Sequence, residues 1–254
     1  MSIELALLAL ASLLAGSIDS IVGGGGLVLV PALFATFPST PPATLLGTNK
    51  FAAIWGTLIS SHQFAKRVNL NWRVLIPAAA FALLGSLCGA WVVTKVDPTF
   101  LRRLLPLVMI IVLFYTLWNK NLGTIHTPRY TGARAVAITC AIGVTIGFYD
   151  GFFGPGAGSF FVFLLVRLMG YDFLNASASA KVLNVATNFA ALVLFASKGH
   201  VWWQVGLILA AANIAGSMVG THLALKHGAS FVRHIFILVV SLLILKTAYG
   251  AFFR

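Results

Sequence analysis

The sequence predicts an all-α polytopic membrane protein built from two four-span repeats. Of its 254 residues, 59% are hydrophobic and 9% are charged, against about 25% charged in a soluble domain. The apolar residues form long, nearly uncharged runs at 3–22, 51–65, 74–93, 104–118, 135–153, 182–196, 201–224 and 231–253. Roughly 20 such residues let a helix cross a bilayer. The third observation is an internal repeat with an ungapped offset of 131 residues. Open sheets would leave backbone groups unsatisfied in lipid, and the runs are too long and too unalternating for barrel strands.

Rare residue types carry the repeat. Asp19 matches Asp150, Lys50 matches Lys181, and Trp72 matches Trp203. Gly85-Ser86 matches Gly216-Ser217, Gly89 matches Gly220, Lys95 matches Lys226, Phe100 matches Phe231 and Arg102 matches Arg233. The repeats are expected at 1–118 and 133–254, joined by a basic, turn-rich linker at 119–132 that contains Pro128. Each opens on a long segment that runs into an acid and a glycine-rich break. A short apolar piece follows, at 27–37 or 159–169, which at about 1.5 Å per residue reaches only part way across. A polar link (38–44 or 170–177) and three further spans complete each half. We expect the halves to be inverted, because that arrangement brings two matched broken helices together at mid-depth. The loop charges do not decide between inverted and parallel.

Net charge is +12, from 17 Lys and Arg against 5 Asp and Glu. The bases lie mostly in short connections, as charges flanking membrane spans do, so nucleic-acid binding is not expected. The scarcity of acids would also favour an anionic solute. Cys88 and Cys140 stand alone in apolar runs and read as small buried hydrophobes. The first segment lacks a basic leading region, and no cleaved leader is expected. Trp72, Trp202 and Trp203 sit beside loops as interfacial anchors do.

Three groups of residues are candidates for chemistry. The first is the pair of glycine breaks, Gly23, Gly24, Gly25 and Gly26 in one half, and Gly154, Pro155, Gly156 and Gly158 in the other. Neither break propagates a helix well, and a helix restarting after it presents free amides and a positive dipole end to an anion. Close helix packing explains Gly85, Gly89, Gly216 and Gly220 better. The second group is Asp19 and Asp150. A charged acid at mid-membrane costs about 2.5–3.5 kcal/mol on insertion scales, so each carries a proton, pairs with a lysine, or holds the loop by accepting amide bonds. The third is Lys50, in Gly47-Thr48-Asn49-Lys50, and Lys181 with Asn184 and Asn188. The spacing i, i+3, i+7 puts those last three on one helical face, which must look at protein or water rather than lipid. Plain Asp–Lys pairing or snorkelling is the alternative for both lysines. The histidines show no metal-ligand pattern, and no nucleotide-binding motif is present.

Gly147-Phe148-Tyr149-Asp150-Gly151-Phe152-Phe153-Gly154-Pro155-Gly156-Ala157-Gly158-Ser159, followed by Lys181, Asn184 and Asn188, resembles the TauE/SafE family of sulfite exporters. Asp19 with its four glycines, Val30-Pro31 and Gly47-Thr48-Asn49-Lys50 resemble it too, so the likeness covers nearly the whole chain. The resemblance implies a multi-pass inner-membrane permease of about eight spans that moves sulfite, sulfoacetate or a related organosulfur or organic anion. Ala157 stands where the family pattern suggests Thr.

The expectation is therefore a non-enzymatic secondary transporter without a cofactor or metal. Its partners would be a small anionic solute and the lipid bilayer, with a homo-oligomer left open. The glycines, Asn49, Lys50, Ser159, Lys181, Asn184 and Asn188 would contact the solute, and Asp19 and Asp150 would carry protons or hold the loops. A passive anion channel is the alternative, and an intramembrane enzyme or assembly factor a more distant one.

Overall fold

The structure is a computed structural model that describes residues 2–97 and 126–252. The expected span at 104–118, Phe100, Arg102 and most of the 119–132 linker lie outside the described residues.

Eight helices make up the described chain: α1 (Ser2–Val22), α2 (Gly26–Thr36), α3 (Pro42–Ala65), α4 (Trp72–Val93), α5 (Gly132–Phe152), α6 (Ala157–Leu164), α7 (Phe173–Ser197) and α8 (Trp203–Phe252). Helix α6 runs on into one wider π-helical stretch, Leu165–Met169. Helix α8 is interrupted at Gly228, whose φ of 71° and ψ of −164° lie outside the helical region. Among the described residues, five helices are long and apolar enough to cross a membrane: Ile3–Val22, Trp72–Val93, Gly132–Phe152, Phe173–Ser197 and Trp203–Gly228. Helix α3 has the length, at 24 residues, but carries Asn49 and Lys50 within it. Large apolar side chains such as Leu7, Ile76, Phe81, Leu84, Leu207 and Val219 stand exposed on these helices. Apolar exposure of that extent needs a lipid solvent, and the protein is a multi-pass membrane protein.

Both expected helix breaks are present. Helix α1 ends at Val22, and Gly23 turns the chain with φ +78°. Helix α5 ends at Phe152, and Gly154 and Gly156 follow with φ +91° and +82°. Left-handed backbone of this kind disfavours a side chain.

The links that follow are shorter than the composition suggested. Pro41 and Pro42 start α3 directly after the short apolar helix, since proline suits a first helical turn. Asp172 starts α7, its carboxylate accepting from the Asn175 amide at 2.7 Å. Lys50 and Lys181 therefore lie about two turns inside their helices, not at the starts of spans.

Contacts between helices fix their directions. In α1 and α8, Ser12 Oγ donates to the Leu209 carbonyl at 2.6 Å and Ser217 Oγ to the Gly16 carbonyl at 3.2 Å, so the two run parallel. In α4 and α5, Gly143, Gly147 and Gly151 press on Ala78, Ala82 and Ser86 in turn, so these are parallel too. Helices α3 and α7 run antiparallel: Gly47 meets Phe195, and Lys50 meets Asn188. The ends of the bundle follow. One apolar cluster gathers Phe64, Val68, Val74, Ala135, Phe173 and Ala224, where α3 and the first stretch of α8 end and α4, α5 and α7 begin. The other gathers Ala43, Leu46, Val93, Phe195 and Val201, where α3 begins and α4 and α7 end.

The most extensive packing is α4 on α5 and α1 on α8. A Cβ on Gly85 would overlap the Val144 carbonyl, and one on Gly89 the Phe148 carbonyl. A Cβ on Gly216 would overlap the Leu13 carbonyl, and one on Gly220 the Ser17 carbonyl. Val144 and Phe148 lie 131 positions after Leu13 and Ser17, so the two crossings use the same positions. Apolar side chains gain little from leaving lipid, and close backbone approach supplies the van der Waals contact instead. Cys140 is buried as expected, whereas Cys88 is exposed on the outer face of α4.

Candidate functional site

The two helix breaks meet inside the bundle. Ser159 at the start of α6 donates its amide to the Gly23 carbonyl at 3.0 Å and its hydroxyl to the Val22 carbonyl at 3.1 Å. Gly23 and Gly158 lie so close that a Cβ on either would overlap the other's backbone. On the far side of the second break, the Tyr149 hydroxyl donates to the Pro155 carbonyl at 2.5 Å. Glycine is needed at 23 and 158 because two backbones cross there.

Each acid pairs with the lysine of the other half. Lys50 Nζ on α3 lies 2.7 Å from Asp150 Oδ1 on α5. Lys181 Nζ on α7 lies 3.3 Å from Asp19 Oδ2 on α1, and also donates to the Asp19 backbone carbonyl. Lys50 is 4% exposed, Asp150 2% and Lys181 0%. Buried charges persist only when paired and hydrogen-bonded, and these have further partners. Lys50 donates to Asn188 Oδ1 at 3.1 Å. Thr57 Oγ1 reaches Asp19 Oδ2 at 3.4 Å, and Asn188 Nδ2 reaches Thr57 Oγ1 at 3.5 Å. Asp150 Oδ2 is the exception, buried and without a hydrogen-bond partner among the described residues.

A small cavity sits between the pairs, lined by Asp19, Gly23, Gly26, Asn49, Lys50, Ala53, Asp150, Gly154, Gly158, Asn184 and Asn188. Eight of these eleven belong to the expected solute-binding set, Asp19 and Asp150 are the two acids expected beside them, and Ala53 was not anticipated. The volume is about 20 Å³, room for a single water and too little for an oxyanion of sulfur.

Several expected residues stand off this lining. Gly24, Gly25 and Gly156 shape the breaks without facing the cavity. Ser159 spends its amide and hydroxyl on the opposite break. Lys181 shares a helix with Asn184 and Asn188 but lies behind Asp19, out of the cavity. The amides that restart the helices are also partly used, Leu27 on the Gly24 carbonyl at 3.1 Å and Ala157 on the Gly154 carbonyl at 3.1 Å. Sequence reasoning missed Thr57 and Tyr149. Thr57 had a signal: it follows Lys50 by seven positions, as Asn188 follows Lys181, and so occupies the matched place on the opposing helix.

Among the described residues, no group of three or more His, Cys, Asp or Glu could hold a metal ion. The family described as "Sulfite exporter TauE/SafE" matches residues 8–247. The chain belongs to this family. Three curated relatives illustrate it. "Probable membrane transporter protein YfcA" of Escherichia coli K12 is 37% identical over 242 residues, 94% of this chain and 88% of the relative. "Probable membrane transporter protein ORF9" of Sinorhizobium sp. is 34% identical over 235 residues, 92% and 88% of the two chains. A "Probable membrane transporter protein" of Haemophilus influenzae is 33% identical over 245 residues, 96% and 94% of the two. No solved structure gives a significant match. In this TauE/SafE protein the breaks, both acids, Lys50 and the asparagines thus converge on one interior place, although they come from distant parts of the chain.

Proposed function

We propose that this protein is a secondary transporter that moves a small anion across the inner membrane, with sulfite, sulfoacetate or a related organosulfur or organic acid as the solute class. The observation that carries this reading is the crosswise pairing of Lys50 with Asp150 and Lys181 with Asp19 around one interior cavity. The four charges sum to zero, so an anion entering the site needs a cation released to it. Lys50, which lines the cavity, is that cation, and the breaks at Gly23–Gly26 and Gly154–Gly158 with Asn49, Asn184 and Asn188 supply donors. Protonation of Asp150 at its unpartnered Oδ2 would free Lys50 and couple the anion to a proton.

The reading includes two inverted four-span repeats. Its support is that α3 and α7, which hold the matched lysines, run antiparallel, and that α1 on α8 and α5 on α4 cross at matched glycines. Inverted repeats with broken helices at the centre suit alternating access. A cavity of only about 20 Å³, too narrow for the solute as it stands, favours a cycle that changes its shape over a passive channel.

The test is uptake of radiolabelled sulfite into liposomes containing the purified protein, with sulfate, acetate and sulfoacetate as competitors. Saturable uptake with counterflow supports the transporter. Conductance without counterflow would favour the channel, and Lys50→Met with undiminished uptake would remove Lys50 from the site.

A further inference from the structure

Among the described residues the fold gathers most of the bases at one end. Lys66, Arg67, Arg73, Arg134 and Lys226 stand where α3 ends and α4 and α5 begin, while Lys95 and Lys198 stand at the other end. A pocket of about 600 Å³ opens at the first end between α3 and α8, lined in part by Lys66, Arg67, His222, Lys226, Met218 and Leu225. The chain has only five acids, and none serves this pocket. Asp19 and Asp150 hold the interior lysines, and Asp172 caps α7. Glu4 and Asp97 lie toward the opposite end. Three permanent cations therefore face one space without a carboxylate.

We propose that this pocket binds the phosphate headgroup of an anionic phospholipid in the cytoplasmic leaflet. Its polarity is graded as a lipid's is. Met218 lies eight positions before Lys226 on α8, about 12 Å deeper into the membrane, and is 51% exposed on the lipid-facing side. Leu225 adds apolar wall near the rim. A free phosphate has no use for that apolar floor, whereas a glycerophospholipid places its phosphate at the bases and its acyl chains along Met218. The end of the molecule agrees as well, since cytoplasmic ends of membrane proteins collect Lys and Arg and basic pockets between spans there take anionic headgroups. At the matched places of the other end two of the three bases recur, as Lys198 and Lys95, but Ser197 stands for Lys66 and Trp91 for His222, so the full set of three cations with the histidine is present at the first end alone among the described residues.

The experiment is native mass spectrometry and thermal unfolding of the full-length protein in detergent, with phosphatidylglycerol or phosphatidylcholine added. The wild type retains phosphatidylglycerol preferentially and unfolds at a higher temperature with it. Each base removed weakens retention about fivefold, so Lys66→Gln/Arg67→Gln/Lys226→Gln binds roughly a hundredfold more weakly. Lys95→Gln/Lys198→Gln binds as the wild type does. If the triple variant does not fold, Lys226→Gln alone carries the test through its fivefold loss. Equal retention of the two lipids by the wild type, or undiminished retention by the variants of the first end, overturns the proposal. Equal stabilisation by glycerol phosphate or inorganic phosphate overturns it in favour of a soluble anion.

Discussion

Lys50 and Asp150 meet at 2.7 Å between Nζ and Oδ1, while the other carboxylate oxygen of Asp150 faces the interior without a hydrogen-bond partner among the described residues. The pair joins α3 to the break after α5, so one contact ties the cavity's cation to the geometry of a glycine loop. The Lys181–Asp19 pair is tied differently, with both the carboxylate and the backbone carbonyl of Asp19 used by Lys181. The two matched acids therefore have different freedom.

That difference predicts which acid couples transport to protons. Asp150→Asn should keep anion counterflow but lose accumulation driven by an imposed pH gradient. A pH-sensitive dye trapped in the liposomes reads proton entry alongside the anion. Gradient-driven accumulation that persists in Asp150→Asn would remove the acid from the coupling step.

Removing one charge of a buried pair should cost more than removing both. Lys50→Met leaves Asp150 uncompensated, and breaking such a pair costs about 3–5 kcal/mol. The double variant Lys50→Met/Asp150→Asn should recover most of that stability while anion flux stays lost. Thermal unfolding in detergent beside a flux assay separates the two effects. A double variant as unstable as the single one would show that the pair's charge is not what Lys50→Met disrupts.

The helix crossings should be intolerant of bulk. Gly85→Val and Gly216→Val each push a side chain into a carbonyl of the facing helix, and overpacking of this kind costs about 1–3 kcal/mol. Both should lower the yield of folded protein in size-exclusion chromatography by similar amounts, because the two crossings use matched positions. Gly199→Val, whose position is open, tests the contrast: its cost is limited to the left-handed backbone strain at φ +72°, about 1–2 kcal/mol.

The distribution of bases predicts the orientation of the chain. In a Cys88→Ser/Cys140→Ser background, Ser197→Cys should react with a membrane-impermeant maleimide on intact cells. Asn69→Cys should react only after permeabilisation, because Lys66, Arg67 and Arg73 hold its end inside. The reverse labelling pattern would invert the topology.

Composition and run length were enough to establish helices in a membrane, because lipid leaves an unpaired backbone no other solution. The break positions were legible as well: four successive glycines, or Gly-Pro-Gly, disrupt a helix whatever surrounds them. Asp19, Asp150, Lys50 and Lys181 stood out because ionisable residues are costly in apolar runs. The limits of α3 and α7 were less legible, since Asn49, Lys50 and Lys181 look like link residues until their partners are known. A polar residue extends a membrane helix only when another helix satisfies it.

The sequence by itself determined which residues are costly in lipid: two acids, two lysines, two glycine breaks and the asparagines, each of which needs a partner inside the bundle. Only the tertiary structure decided which acid meets which lysine, and it joined them across the halves. Helix direction is the reason. With α3 and α7 antiparallel, each lysine faces the break of the other half, and the chain's own spacing of 31 residues between acid and lysine does not report that. The gathering of the described bases at one end was hidden for the same reason, since it depends on which helix ends lie together.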